Sequence, residues 1–361
     1  MPAIYTCPSF FPLTIPLWFI FTIWFVSLFI KFFGSKEPEI SKGPDPSALV
    51  IIPCKGADLM MGSNLEAAKH QKYRKYSMVA VVDSADDPAV VHLKKHHIPY
   101  ILSTEACSNC SGKVRAIATA ISKYPKFDVY VILDSDVRVG KDWLAELVAP
   151  LSSSAYGMST TYPIYRPYNG RFWEKVKMYW STVGLSLLEY KKTRFGWGGS
   201  LAFKKSLIRH NMGKFKETVS DDITLTEIAK KEGAAIYYSK KAQPVVFCSE
   251  TRETFFEWSN RQTALSMLSN GNLFYYGLLK YVSEALMVVF GITLSFIDPI
   301  FMLLLLPTAT AVTKDYIRTG SRDIISSIVI HLILPFIFLL NFTSARRMQT
   351  ITWRGKTYKL K

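Results

Sequence analysis

The stretch Val129–Val139, VYVILDSDVRV, constrains the fold more than any other part of the chain. Its apolar, β-branched first half has no polar face, which reads as a strand buried on both sides, as in a parallel sheet covered by helices. Asp134 and Asp136 follow at its carboxyl end, the place where open α/β sheets bind ligands. If the chain stays extended, alternation puts both carboxylates on one side, about 6–7 Å apart. Such a pair suits a hard divalent cation, Mg²⁺ or Mn²⁺, that also holds a diphosphate. On its own the pair also reads as a solvated Asp-Ser-Asp turn, and its neighbours must decide.

At 361 residues the chain can hold one substantial α/β domain plus extra elements. The net charge of +16 points to nucleic acid, an anionic membrane face or anionic small molecules. There is no zinc finger and no Arg-rich arm, and 49% of residues are hydrophobic, so a membrane accounts for the charge better than nucleic acid. Five cysteines are an odd number and do not form a disulfide framework. Cys107 and Cys110 make one C-x-x-C, but Cys7, Cys54 and Cys248 offer no second pair for zinc. They read as incidental loop cysteines.

Leu13–Phe33 is almost wholly apolar and long enough to span a hydrocarbon core of about 30 Å. Lys31, Lys36 and Lys42 flank its far end, so the positive-inside rule puts the following domain in the cytosol. Ala48–Pro53, Ser77–Val82 and Tyr100–Leu102 read as strands, and Asn64–Gln71, Ala89–His97 and Gly112–Lys123 as helices. This alternation predicts a parallel, doubly wound sheet. Farther on, Gly157–Ile164 reads as a strand, Arg171–Tyr190 as a long helix, Arg194–Phe203 as Gly-rich, and Ser220–Glu232 as a capped helix. Tyr281–Val312 is apolar apart from Glu284 and Asp298, with a break expected at Asp298-Pro299. Charge parity favours a single kinked crossing there and a second through Ile324–Phe342. Glu284 and Asp298 each cost about 2.5–3.5 kcal/mol near mid-bilayer, so they are expected at an interface or against protein. The expected organisation is an N-terminal anchor at 1–34, a cytosolic catalytic domain at 47–270, interfacial and transmembrane helices at 271–343, and a basic cytosolic tail at 344–361. The chain is thus a multi-pass protein of a plasma or an internal membrane.

The polar residues at strand ends form a set. Asp83 follows the second strand, Lys113 opens a helix, Asp134 and Asp136 follow the central strand, Asp221 and Asp222 open a later helix, and Arg261 lies on a helix before the membrane. Phosphoryl oxygens suit Arg and Lys, and a carboxylate can take a proton from a hydroxyl. Asp221 and Asp222 can also be plain N-capping residues.

At these residues the chain resembles the inverting, membrane-bound glycosyltransferases of the GT-A fold (Rossmann-like nucleotide-diphospho-sugar transferases), the ceramide glucosyltransferase type in particular. That family has three separated Asp motifs and a (Q/R)-x-x-R-W motif. VVDSADDPA with Asp83 resembles the first Asp motif, LDSDVRV the second, and SDD, ending in Asp222, the third. GWGGSLAFKKS is similar to the Gly-rich acceptor loop, and ITWRGKTYKL to the terminal W-R-x-x-x-Y-x-L segment. The fourth motif departs from the pattern, with Trp258 where Gln or Arg stands, Arg261 kept, and Gln262 in place of the Trp. In processive relatives that Trp helps hold the acceptor sugar, so the departure argues against polymer synthesis. The resemblance implies a UDP-sugar donor, a lipid acceptor such as ceramide, and Mg²⁺ or Mn²⁺ held by Asp136 with Asp134. It implies donor binding by Pro53 and Lys55 after the first strand, Asp83, Lys113, Asp134, Trp258 and Gln262. It further implies Asp222 as general base, with Asp221 beside it, and Arg261 against the leaving diphosphate. A polyprenyl phosphate or other glycolipid acceptor, or a non-catalytic sugar-nucleotide-binding scaffold, is the alternative reading.

Overall fold

The computed structural model describes residues 44–107, 110–269, 271–353 and 355–360, with Pro16, Ile20 and Trp24. The rest of the N-terminal apolar segment, Cys7, Lys31, Lys36, Lys42, Arg354 and Lys361 lie outside the described residues. Two compact units emerge: one takes the described parts of Lys36–Gly271 and Ser344–Lys361, the other those of Met1–Ser35 and Asn272–Thr343.

In the first unit the chain runs β1 (Ala48–Pro53), α1 (Met61–Lys69), β2 (Tyr76–Val82), α2 (Ala89–Lys95), β3 (Tyr100–Leu102), α3 (Gly112–Lys123), β4 (Val129–Leu133) and β5 (Val137–Arg138). It continues through α4 (Trp143–Val148), β6 (Tyr156–Thr160), β7 (Ile164–Pro167), α5 (Phe172–Glu189), β8 (Ser200–Lys204), α6 (Lys205–Arg209) and α7 (Met212–Phe215). α8 (Asp221–Lys231), β9 (Ala235–Tyr238), β10 (Val245–Cys248) and α9 (Arg252–Ser269) complete it up to the second unit.

The main sheet has the order β3-β2-β1-β4-β8-β6-β9. β4 is buried along its whole length, as its unbroken apolar run requires. α3 covers one face of the sheet, its Val114, Ile117, Ala118 and Ile121 sharing a core with Leu49, Ile51, Val79, Val81, Tyr130 and Ile132. The Ser111 hydroxyl caps α3 by accepting the Val114 N–H at 3.2 Å, which fixes where Lys113 leaves the helix.

One strand expectation needs correction: the sheet is not wholly parallel, because β8 runs antiparallel to both β4 and β6. The apolar first half of Val129–Val139 is the strand β4, as expected, and the chain then turns into a second sheet. The Asp134 N–H donates to the Gly199 carbonyl at 3.0 Å, and the Asp134 carbonyl accepts the Val137 N–H at 3.1 Å, which turns the chain. β5 then pairs with β10 in a second, three-stranded sheet, β5-β10-β7. Asp134 and Asp136 therefore sit on a turn at the edge between two sheets rather than on an extended strand.

In the second unit, α10 (Leu273–Leu294), a 3₁₀ segment (Pro299–Leu305), α11 (Leu306–Thr319) and α12 (Ile324–Arg347) follow. Among the described residues, three stretches are long and apolar enough to cross a membrane: Leu273–Leu294, Pro299–Thr319 and Ile324–Arg347. The break expected at Asp298-Pro299 falls between the first two of these stretches. Asp298 marks the break, its carboxylate accepting the Ile300 N–H at 2.9 Å, and Pro299 cannot continue the preceding helix. Glu284 is paired with Lys280 at 2.7 Å, so protein neutralises it. The last turn of α12 returns to the first unit, where β11 (Thr350–Trp353) and β12 (Lys356–Lys359) pair as an antiparallel hairpin. Cys107 and Cys110 are joined as a disulfide, not left as independent thiols.

Candidate active site

The carboxyl end of β4 gathers five of the residues singled out above, Lys113, Asp134, Asp136, Asp221 and Asp222. Lys113 projects from the first turn of α3 into this end with only 9% of its side chain exposed. Its Nζ lies 2.8 Å from Asp134 Oδ1, 3.0 Å from Asp134 Oδ2 and 3.0 Å from the Gly198 carbonyl, and 3.5 Å from Asp221 Oδ2. Burial disfavours the ammonium charge, but Asp134 and Asp221 outweigh that and hold the Lys113 pKa above the ordinary lysine range.

The two aspartates at the start of α8 have different surroundings. Asp221 is buried, and its Oδ2 has no hydrogen-bond partner apart from the ionic contact with Lys113. Burial pushes its pKa up to about 7, with Lys113 opposing and Asp222 and Asp134 adding to the rise. Asp222 is half-buried. Its Oδ2 accepts the Gly198 N–H at 3.1 Å, and its Oδ1 accepts the Ile223 N–H at 2.8 Å and the Ser220 hydroxyl. These amide and hydroxyl donors fix the orientation of the carboxylate. Asp222 is therefore the accessible, oriented carboxylate and Asp221 the inward counter-ion.

Gly198 is fixed by this arrangement. A Cβ there would lie 3.1 Å from Asp222 Oδ2, 3.1 Å from Lys113 Nζ and 3.2 Å from Asp221 Oδ2. Only a residue without a side chain lets the backbone pass among these charges at its present spacing.

Asp83, at the end of β2, accepts a 2.6 Å bond from Arg115 and lies 4.0 Å from Lys55. It borders the start of α3, since a Cβ on Gly112 would come within 3.8 Å of its Oδ2. Pro53 ends β1 in register with Val81. Arg261 lies on α9, with its guanidinium 3.4 Å from the Thr352 carbonyl of the tail hairpin and 3.9 Å from Glu257. Trp258, one turn earlier, packs against Trp180 at 5.0 Å and Tyr165 at 5.5 Å, and Lys177 sits 4.4 Å over its ring. Gln262 follows on the same helix, half-buried. The chain thus brings Lys113, Asp134, Asp221 and Asp222 into one cluster, sets Asp83, Lys55 and Arg115 at the neighbouring strand end, and holds Arg261, Trp258 and Gln262 on α9.

Sequence reasoning missed three participants. Arg115 is the tightest partner of Asp83, and its position two residues after Lys113 on α3 was the available signal. Asp58, in the turn after β1, accepts the Ser135 hydroxyl and adds negative charge that raises the Asp134 pKa, after burial and against the pull of Lys113. Gly198 was only one of several loop glycines.

Among the described residues, no group of three or more His, Cys, Asp or Glu side chains is placed to hold an ion. The donor set at the β4 turn is instead two carboxylates, Asp134 and Asp136, both half-buried. That set fits a Mg²⁺-type ion, which is bound through one or two carboxylates and completes its shell with substrate phosphates and water.

No curated protein matches the chain at a significant level. Among solved structures, a mannosyltransferase from Pyrobaculum calidifontis in complex with GDP-Man and Mn²⁺ is similar over 91% of this chain and 97% of its own, with 16% identity and a TM-score of 0.50. Glucosyl-3-phosphoglycerate synthase from Mycobacterium tuberculosis in complex with phosphoglyceric acid aligns with 63% of this chain and 80% of its own, at 13% identity and a TM-score of 0.41. The fold is the GT-A fold. A family model for glycosyl transferase family 21 matches residues 16–361. The chain therefore belongs to glycosyl transferase family 21, the ceramide glucosyltransferase family, and is a nucleotide-sugar-dependent glycosyltransferase.

Proposed function

We propose that this protein transfers a hexose, glucose from UDP-glucose, onto a lipid hydroxyl such as that of ceramide, with inversion at the anomeric carbon. The observation that carries the reading is Asp222 held by the Gly198 N–H in the same cluster as Asp134, in a chain with apolar helices able to cross a membrane. Asp222 takes the proton of the acceptor hydroxyl, and that oxygen bonds to the anomeric carbon as the bond to the diphosphate breaks. Asp83, with Lys55 and Arg115 around it, holds the nucleoside end of the donor. Asp136 and Asp134 are the residues that would hold the divalent cation, which supplies positive charge to the leaving diphosphate when bound. Arg261 adds charge on the same side.

The test is release of nucleoside diphosphate by detergent-purified protein. UDP- and GDP-sugars are offered with and without ceramide or a bulk lipid extract, in Mg²⁺, Mn²⁺ or EDTA. The expected result is UDP release from UDP-glucose that needs both lipid and metal. Transfer only to polyprenyl phosphate, hydrolysis indifferent to lipid, or release from GDP-sugars alone would each replace the acceptor or donor assignment. Binding of nucleotide sugar without turnover on any lipid would replace the enzyme by a scaffold.

The membrane arrangement is proposed on chain connectivity. The chain leaves the catalytic unit after Gly271 and rejoins it at Ser344, and Ile351 of the returning hairpin is 2% exposed. An intervening segment that begins and ends on one side crosses an even number of times. Among the described residues of this segment three stretches can cross, so at least one does not. We assign that part to Pro299–Thr319. Its 3₁₀ portion folds back along the end of α10, with Leu304 beside Met287, and α11 carries Lys314, Asp315 and Arg318. Asp315 finds a partner in His331 at 3.1 Å. α10 and α12 then cross, and α11 lies along the far face. Membrane-impermeant thiol reagent should label Lys314→Cys from the face opposite to Lys356→Cys, and labelling of both from one face would contradict the arrangement.

A further inference from the structure

Resting on the sugar-transfer reading, we infer that Lys113 is a positioning residue that sets the general base, rather than a ligand of the donor phosphates. Each polar direction of its ammonium is already used inside the protein, towards the Asp134 carboxylate at 2.8 Å, the Gly198 carbonyl at 3.0 Å and Asp221 at 3.5 Å. An ammonium has three donors; Asp134 and the Gly198 carbonyl take hydrogen bonds from it, and Asp221 faces it at ionic distance. With 9% of the side chain exposed, little surface remains for an incoming phosphate.

The Gly198 bond gives this cation its consequence. The Gly198 carbonyl accepts from Lys113, and the Gly198 N–H donates to Asp222 Oδ2 at 3.1 Å. One residue therefore links Lys113 to the base. Lys113 also binds Asp134, a member of the cation-binding pair. It fixes the distance between the carboxylate on the donor side and the carboxylate that receives the acceptor proton. A misplacement of about 1 Å between reacting groups can cost about 10²-fold in rate. The missing side chain at Gly198 is part of the same device, since a Cβ there would press at 3.1–3.2 Å on Asp222, Lys113 and Asp221 together.

Two variants test this, read as a split between kcat and donor KM alongside direct binding of Mn²⁺ and UDP-sugar. Lys113→Gln is expected to lower kcat about 10²-fold, with donor KM and UDP-sugar affinity within about 3-fold of wild type. Lys113→Arg, which keeps the charge and several donors, is expected to recover part of kcat. Lys113→Gln also leaves Asp134 and Asp221 without their cation, so Mn²⁺ affinity is expected to hold or tighten. If Lys113→Gln fails to fold, Gly198→Ala carries the same expectation, a fall in kcat with donor affinity kept. A rise in donor KM of about 30-fold or more with kcat unchanged would make Lys113 a phosphate ligand and overturn the inference. Unchanged kcat in both variants would overturn it as well. If wild type transfers to no lipid, the acceptor reading has failed, and the same split is then measured on donor hydrolysis, in which water takes the acceptor's place.

Discussion

Asp222→Asn should lower kcat by about 10²–10⁴-fold, the range for removal of a general base, while nucleotide-sugar binding stays near that of wild type. The amide keeps the shape of the carboxylate and one oxygen to accept the Ile223 N–H or the Gly198 N–H. It cannot take a proton from a hydroxyl. The effect therefore falls on the chemical step, and equilibrium binding of UDP-sugar to the variant separates the two. Equal loss of binding and turnover would make Asp222 a donor ligand. Asp221→Asn gives a different pattern. It removes a buried charge facing Lys113 that touches no acceptor in the proposed reaction, so its effect should appear first as a change in thermal stability.

The second large effect is expected at Asp136. Asp136→Ala should lower kcat/KM by about 10²–10³-fold, as loss of transition-state charge stabilisation typically does, and should abolish the difference between assays run in Mn²⁺ and in EDTA. Direct Mn²⁺ titration of the variant checks this without turnover. Asp134 is expected to be less informative alone, because its carboxylate is also the main anchor of Lys113. Undiminished Mn²⁺ binding by Asp136→Ala would move the cation site off the β4 turn.

Local patterns in the chain carried the central strands and the helix that bears Lys113. β1 and β4 are short, buried apolar runs bounded by turn residues, and α3 begins at Gly112 after a serine cap. Burial on both faces erases any polar alternation, so such strands can be read locally. The reversal of β8 is a different matter. SLAF reads as a buried strand in either direction, and its sense is set by a path through α5 and the Gly-rich loop that no local pattern encodes. The Asp-Ser-Asp turn was one of the two readings of this stretch, but the second sheet it leads into was hidden for the same reason. Val137 is apolar and continues the run, but its pairing partner is Val246, more than a hundred residues away.

The acidic members of the candidate site could be recognised because carboxylates recur as a set at the ends of successive apolar strands and at one later helix start. Their partners could not. Arg115 and Asp58 acquire a role only when α3 and the turn after β1 meet Asp83 and Ser135. Gly198 resembles its neighbouring glycines until its backbone is seen between Lys113 and Asp222. In the second unit the break at Asp298-Pro299 was visible as a proline after an acidic residue, whereas the folding back of Pro299–Leu305 on α10 depends on packing such as Leu304 with Met287. The basic tail gave charge as its only signal, and its pairing as β11 and β12 emerges from tertiary context.

The most direct test of the account is the anomeric configuration of the glycolipid formed from an α-linked UDP-sugar, read from the coupling of its anomeric proton by NMR. Direct attack by a hydroxyl deprotonated by Asp222 predicts a β-linked product from wild-type protein. An α-linked product would require a second displacement or a front-face path, and would contradict the assignment of Asp222 as the base.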